Sequence, residues 1–451
     1  MVLVPANDLE TEKLMAVQKP RLVVRTLLAV GMAVTLAAGC GSSGGGGDSG
    51  AVKKGDVTVM KLWTHNGGND AELDIVKAMV TDFNASQKKY KVEIQSFPQA
   101  SYNDAVTAAA SAKKLPCVLD ADGPIVPNWA WAGYLEPLDL PADTFADQLP
   151  STLGKVGDEL YSFGHYDVAL NLVARKSALE ANGIRIPTME QPWTQEEFDA
   201  GLAKIKASGK FPYPLDLGTG GSGEWIPYGY SPLLQSFGGD LINRDDYQSA
   251  EGVLNGPEAM KWAEWFQGTI EKGFAARKSG TDSTVDFVNG KSAIMYSGSW
   301  AADATTAKFG DDVLFLPPPD FGQGPKIGGG SWQWAMSSGC SAKEGALAYL
   351  KFTTDKKYYV NFSKALGLIP AKTSAAAEIP NFAPGGKYEV FLKFAQEYPV
   401  LRPPTPAYPF ISTTFQKATK DIISGGDPKS ILDRAAEEID NNVKSNGGYK
   451  F

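Results

Sequence analysis

The chain reads as an α/β protein in two lobes, and three observations carry that reading. From Asp56 onward, short apolar runs alternate with amphipathic stretches, the pattern of βαβ units on a largely parallel sheet. The folded part, Asp56 to Phe451, is close to 400 residues, more than a single core usually supports. No repeat recurs at a fixed period of roughly 20–50 residues, which excludes solenoids and propellers.

The N-terminus comes first and does not belong to either lobe. Lys19, Arg21 and Arg25 precede an uncharged, mostly apolar run from Thr26 to Ala38 that stops at Gly39-Cys40. That is the layout of a secretory signal peptide, residues 1–39, because the run is shorter than the roughly 20 residues that a membrane-spanning helix requires. Asp8, Glu10 and Glu12 are foreign to the positive front of such a peptide, which places the start of translation at Met15. Ala37-Ala38-Gly39-Cys40 resembles a bacterial lipobox, with Ala37 where Leu is usual and Leu36 one step further out. The resemblance makes Cys40 a diacylated anchor on the outer face of the cytoplasmic membrane. Residues 40–55 then form a tether, nearly all Gly and Ser from Gly41 to Gly50, which cannot bury a core.

The body opens with a strand at Val57 to Trp63, a helix at Ala71 to Asn84 and a strand at Val92 to Phe97. A second helix, Tyr102 to Lys113, and a third strand, Cys117 to Asp120, complete half of a doubly wound sheet. Leu73, Val76, Val80 and Phe83 recur at spacings of three and four and give the first helix its buried stripe. Asp167 to Val173 reads as a strand leading away from the first lobe. Helices follow at Glu196 to Ala207, Pro257 to Lys272, Lys343 to Thr353 and Pro428 to Val443, the last with Ile431, Ala435, Ile439 and Val443 on one face.

Composition narrows the partners. The formal charge is −8, and the signal region holds Lys13, Lys19, Arg21 and Arg25 against Asp8, Glu10 and Glu12, so the mature chain is more acidic still. Nucleic acid is a poor partner for such a surface. Cys117 and Cys340 remain after the lipobox in a compartment where disulfides persist, but spacing alone leaves their pairing open. There is no cysteine cluster for a metal and no Gly-x-x-x-x-Gly-Lys-Ser/Thr loop for a nucleotide, so neither metal nor cofactor is expected.

Four stretches, taken in order, resemble the extracellular solute-binding proteins of carbohydrate ABC transporters, the family of maltose-binding protein. They are Lys61 to Asn66, a strand ending in aromatic and polar residues, and Gly290 to Trp300, similar to a Gly-Lys-x-Ala-Met stretch that closes on Gly-x-Trp. The third is Gly328 to Met336, followed by a Ser/Lys-rich turn and the helix from Lys343. The fourth is Arg402 to Ser412, like an Arg-Pro-x-x-Pro-x-Tyr segment. The resemblance implies a type II periplasmic-binding-protein fold: two lobes, each a mixed, mostly parallel sheet with helices on both faces, and a ligand cleft between them. It divides the chain into 56–165 plus 305–353 for lobe one and 166–304 plus 354–451 for lobe two. That division puts Cys117 and Cys340 in the same lobe, where a disulfide becomes possible.

A sugar presents hydroxyls in its ring plane and apolar C–H faces above and below, so its site needs flat aromatics and charged or amide rim groups. The chain has ten tryptophans, and Trp225, Trp300 and Trp332 lie beside Gly, Pro or polar residues instead of in apolar stripes. These are the expected stacking rings, with Glu224 beside the first of them, whereas Trp262 and Trp265 lie in a helical pattern and are expected in the core. Asp122 ends the third strand at the edge where α/β sheets bind ligands, and His65 follows the first strand. Asp167 resembles an aspartate that the family places near the ligand, and Arg402 and Tyr408 lie in a segment that the family folds toward the cleft.

The resemblance implies a monomeric, non-catalytic protein that captures a mono- or oligosaccharide by hinge closure and delivers it to the membrane subunits of an ABC permease. The main rival is a secreted carbohydrate-active enzyme, a glycosidase or lyase, whose paired carboxylates the sequence has the residues to supply. Against it, the chain fits the binding-protein pattern from end to end. Its two histidines, His65 and His165, belong to no Gly-x-Ser-x-Gly elbow or His-Glu-x-x-His helix. The same fold with a peptide, polyamine or ferric ion as ligand, or in a sensory role, is a further alternative.

Overall fold

The computed structural model describes residues 50–280 and 283–450. The signal peptide, Cys40 and most of the Gly/Ser tether lie outside the described residues. The end of the tether does not: Ala51–Lys54 forms β1, which pairs antiparallel with β2, Val57–Thr64, from Ala51 opposite Met60 to Lys54 opposite Val57.

The expected βαβαβ start is present. After β2 come α1 (Asp70–Ser86), β3 (Tyr90–Ser96), α2 (Gln99–Ser111) and β4 (Val118–Asp122), with β3 and β4 each parallel to β2. The helix α1 buries Leu73, Val76, Val80 and Phe83 against this sheet, as their spacing predicts, and it also buries Glu72. Next come α3 (Val126–Trp131), β5 (Leu135–Glu136), β6 (Leu153–Val156) and β7 (Glu159–Phe163). The chain leaves this region through β8 (Tyr166–Asp167), so the strand expected at 167–173 is broken into β8 and β9 (Leu170–Arg175).

The second sheet has four strands in the order β10-β11-β9-β12, with β10 at Tyr213–Asp216, β11 at Ser292–Gly298 and β12 at Val313–Leu316. Around it are α4 (Lys176–Ala181), α5 (Gln195–Ala207), α6 (Trp225–Phe237), α7 (Pro257–Glu271), α8 (Ser283–Val288) and α9 (Ala302–Phe309). Trp262 and Trp265 of α7 are buried in this region's core, as expected. The chain then returns as β13 (Trp332–Ser337), which inserts between β4 and β7 of the first, eight-stranded sheet.

Two expectations are corrected here. The sheets are not mostly parallel: β2 with β3, β2 with β4 and β10 with β11 are parallel, and every other pairing among the described strands is antiparallel. The reason is the route of the chain, since β9 and β13 enter their sheets from the other region and run against their neighbours. The boundaries also move. Val313–Leu316, assigned above to lobe one, pairs with β9 in the second sheet. Conversely α10 (Lys343–Thr353) is followed by α11 (Lys356–Leu366), whose Tyr358 and Phe362 are buried in the first core, although the sequence puts 354 onward in lobe two.

From there β14 (Ile369–Pro370) pairs with β8, so a two-stranded ribbon joins the outgoing and returning paths. The chain ends in α12 (Thr373–Ala376), α13 (Glu389–Glu397), α14 (Tyr408–Ile423) and α15 (Pro428–Ser445), the last burying Ile431, Ala435, Ile439 and Val443. Cys117 and Cys340, which bracket the paired strands β4 and β13, form a disulfide with Cα atoms 4.5 Å apart. No described helix is long and apolar enough to cross a membrane.

Candidate functional site

A cavity of about 450 Å³ takes its walls from both sheet regions. Its first wall is built where the parallel strands β2 and β4 end, the edge at which open α/β sheets hold ligands. The single hydroxyl proton of Thr64 lies between Asp120 Oδ2 (2.8 Å) and the side-chain Oδ1 of Asn66, its two acceptors. With its proton on Nδ1, His65 donates to the same Asp120 oxygen (2.5 Å), and its Nε2 accepts from the Asn66 amide (3.1 Å). Burial pushes the His65 pKa down, but the carboxylates of Asp120, Glu72 and Asp122 outweigh that and hold it above the usual histidine range.

Asn69 caps α1 and donates to Glu72 Oε2 (3.0 Å), while Tyr166 donates its hydroxyl to Glu72 Oε1 (2.8 Å). Glu72 is thus held at the cavity wall, 3.7 Å from His65 Nε2, and its pKa is raised, first by burial and then by Asp120. Trp332, first residue of β13, lies flat on His65 with ring centroids 3.7 Å apart and planes 8° from parallel. One face of this indole is therefore already taken, which leaves less of it for a ligand than the sequence suggests.

Across the cavity, α6 supplies Glu224 at its N-cap, Trp225 in its first turn and Tyr228 one turn on, while Trp300 follows β11. Trp225 donates its Nε1 to the Gly218 carbonyl (2.9 Å) and meets Trp300 edge to face at 84°. Trp300 is 40% exposed, against under a tenth for most of the aromatic core. Both rings lie where a Cβ does not fit. A side chain at Gly221 would come within 2.4 Å of the Trp225 ring, and one at Gly298 within 2.0 Å of the Trp300 ring.

Arg402 joins the two walls. Its guanidinium binds Asp122 in a fork, Nη1 to Oδ2 and Nη2 to Oδ1, both 2.9 Å, and Nη1 also donates to Glu224 Oε2 (2.8 Å). Its stem lies with the guanidinium carbon 5.2 Å from the centre of the Tyr228 ring. Burial pushes the Asp122 pKa up, and although Arg402 pulls it back, the balance stays above the usual carboxylate range. Tyr408 donates its hydroxyl to Glu224 Oε2 (2.5 Å), and Ser412 donates to the other oxygen.

Of the residues singled out in the sequence, His65, Asp122, Glu224, Trp225, Trp300, Trp332 and Arg402 line this cavity. Asp167 and Tyr408 do not. Asp167 is fully buried, and its carboxylate accepts from the Ser151 hydroxyl (2.5 Å), the Val168 amide (2.7 Å) and the Gly330 amide (2.8 Å). It ties the outgoing path at β8 to the returning path before β13. Tyr408 is buried behind Glu224 and fixes that carboxylate. The sequence reading missed Tyr228, Tyr166 and Glu72. Tyr228 stands three residues after Trp225, a spacing that puts both on one helix face and was available as a signal. Glu72 and Tyr166 gave none, because nothing in their local pattern marks a charge and a phenol that fold together.

Among the described residues no cluster of histidine, cysteine and carboxylate side chains is arranged to hold a metal ion. The cavity brings together the paired charges of His65, Glu72, Asp122, Glu224 and Arg402 and the rings of Trp225, Tyr228, Trp300 and Trp332.

Comparison with known families gives the class of protein to which this fold and cavity belong. The chain belongs to the bacterial extracellular solute-binding protein family, whose model matches residues 78–385. It is 23% identical over 372 residues to the uncharacterized lipoprotein in the oleD 5′ region of Streptomyces antibioticus, covering 78% of this chain and 77% of that one. Among solved structures it is similar to the GacH receptor of Streptomyces glaucescens, determined unliganded and with acarbose, at 21% identity and a TM-score of 0.71. That match covers 86% of this chain and 97% of the receptor. Maltose-bound MalE3 of T. maritima gives 21% identity and a TM-score of 0.72, over 86% of this chain and 100% of that one. The cyclic alpha-maltosyl-1,6-maltose binding protein of Arthrobacter globiformis gives 22% and 0.70, over 86% and 99%. Family and fold are those of non-catalytic solute-binding proteins.

Proposed function

We propose that the protein is the sugar-binding lipoprotein of an ABC importer, held by a lipid on Cys40 at the outer face of the bacterial cytoplasmic membrane. The observation that carries the reading is the division of labour in the cavity. The carboxylates of Asp122 and Glu224, though paired, keep lone pairs that can accept from hydroxyls beside His65 and Arg402, while Trp225, Tyr228 and Trp300 bring rings for C–H surfaces. The solved relatives bind acarbose, maltose and a cyclic maltosyl-maltose, which agrees with this chemistry.

In this reading the ligand lands on one wall, and the second closes over it by bending where the chain crosses between sheets, at β8, at β14 and at the segment before β13. The closed monomer is what the permease subunits recognise. His65, Asp122, Glu224, Trp225, Trp300, Trp332 and Arg402 form the contact surface, with Asp167 and Tyr408 in support.

The test is calorimetric titration of residues 46–451 with a panel of mono- and oligosaccharides, each sugar being recovered after a day and analysed. One-to-one saturable binding with intact sugar is expected. New sugar products would overturn the reading in favour of an enzyme, and binding of no sugar at all would remove the ligand class. For the anchor, the expected result is a mature N-terminus at a lipid-modified Cys40 by mass spectrometry, lost in Cys40→Ala.

A further inference from the structure

The charges of the cavity do not balance. Arg402 faces two carboxylates, forking onto Asp122 and reaching Glu224 Oε2 (2.8 Å). His65 likewise stands between two, its Nδ1 2.5 Å from Asp120 Oδ2 and its Nε2 3.7 Å from Glu72 Oε2. Even with His65 protonated on both nitrogens, each cluster holds one negative charge more than its cation neutralises. Among the described residues that line the cavity, Arg402 and His65 are the only basic side chains. Tyr166, Tyr408 and Ser412 donate hydroxyls to Glu72 and Glu224 but bring no charge.

The carboxylates feel this surplus. Burial raises the pKa values of Glu72 and Asp122, and a neighbouring carboxylate raises each further, Asp120 for Glu72 and Glu224 for Asp122. Glu72 and Asp122 are buried, whereas the Glu224 side chain is 35% exposed, so Glu224 is the carboxylate that a ligand meets first. The N-terminus of α6 offsets roughly half a charge there and leaves the rest. Trp225 follows Glu224 in the chain and meets Trp300 edge to face on the same wall, and the faces of such rings also attract cations.

We infer that the ligand of this cavity carries a basic nitrogen: it is a glycoside in which an amine, protonated at neutral pH, stands where a common sugar has a hydroxyl. This rests on the sugar reading and deepens it. An ammonium group against Glu224 supplies the missing positive charge and donates charge-assisted hydrogen bonds to carboxylate oxygens. A neutral hydroxyl donates as well, but it leaves the repulsion between the carboxylates in place. A sugar acid adds to that repulsion. The cavity should thus rank one sugar skeleton by the group it bears, ammonium before hydroxyl before carboxylate.

The test is calorimetric titration of the full mature chain with hexoses and their disaccharides. Each is run beside its counterparts with one hydroxyl replaced by an amine, position by position, and beside its uronic acid. Titrations are made at about 20 and 200 mM salt. Expected is an amino sugar that binds about tenfold or more tighter than its parent, with the uronic acid weakest. The margin should shrink at the higher salt, where charge attraction is screened, and fall to within about twofold in Glu224→Gln. If that variant does not fold, the salt dependence of wild type decides alone. Parents that bind as tightly as all their amino counterparts, or a margin untouched by salt and by the substitution, would overturn the cationic ligand while leaving the sugar reading intact. Binding of no sugar, neutral or amino, would instead remove the parent reading, and the cationic ligand with it.

Discussion

On the first-sheet side of the cavity the polar groups are engaged before any ligand arrives: His65 with Asp120, Glu72 with Tyr166, Asp122 with Arg402. On the second-sheet side Trp225, Tyr228 and Trp300 present rings, and Trp300 is the most exposed of the lining aromatics. The first wall holds its geometry by charge pairing in a buried setting, where a lost partner is costly. The second holds its geometry by steric fit against glycines, where a lost ring leaves a gap but no orphaned charge. Damage to the first wall should therefore register mainly as stability, and damage to the second mainly as affinity.

The sharpest way to break this contrast is Arg402→Met. It leaves Asp122 buried without its forked partner and should cost about 3–5 kcal/mol of unfolding free energy in urea. Asp122→Asn in the same chain should recover part of the loss. A cost below about 1 kcal/mol would mean that the first wall is not held by this pair. Removal of the disulfide by Cys117→Ala with Cys340→Ala acts on the same sheet and should lower stability by about 2–4 kcal/mol, with ligand affinity unchanged.

The two histidines sharpen it further, because their surroundings push them in opposite directions. His165 is fully buried, and with its proton on Nε2 it donates to the Thr353 carbonyl (2.8 Å) while its Nδ1 accepts from Trp334 Nε1 (3.1 Å). Burial depresses its pKa to about 4, from an unfolded value near 6.5. The unfolded chain therefore binds this proton first as pH falls. Its contribution is complete above about pH 6.5 and is lost progressively down to about 4, a change of about 3 kcal/mol. His65, whose pKa is raised, contributes in the reverse sense: its term is present at low pH and fades as pH rises through the folded value. Urea titrations from acid to neutral pH should show a steeper acid-side slope in wild type than in His165→Gln, the remainder coming from carboxylates such as Glu197 and Asp147 whose pKa values the fold lowers.

The smallest effect on stability, and the one that most directly tests the aromatic wall, is Trp300→Ala. Sugar affinity should weaken by about 1–3 kcal/mol in calorimetry with stability nearly unchanged, since the ring is well exposed. An unchanged dissociation constant would take Trp300 out of the site.

Much of the architecture was legible because it rests on periodicity. The stripes of α1 and α15 and the opening βαβαβ run follow from spacings that local burial imposes. What could not be read was the return of the chain. Whether Val313–Leu316 pairs with β9 or with a strand of the first sheet depends on where the backbone crosses, and an apolar tetrapeptide carries no record of that. The site divides in the same way. His65 and Asp122 line the cavity as expected of strand ends in α/β sheets, and Trp225 and Trp300, singled out for their polar and glycine neighbours, line it too. Asp167 does not line the cavity, and the sequence could not tell, because a carboxylate at a crossing has the same local pattern whether it faces a cavity or accepts backbone amides from two passing segments.

The glycines beneath the rings carry a consequence for how this pocket is inherited. A codon change that adds a single methyl at Gly221 or Gly298 would place a carbon inside the van der Waals shell of Trp225 or Trp300. Either the ring or the backbone would have to give way, so each ring and the glycine beside it act as a unit. A change at either glycine is thus tied to a change at its ring, just as on the other wall a change at Arg402 is tied to one at Asp122.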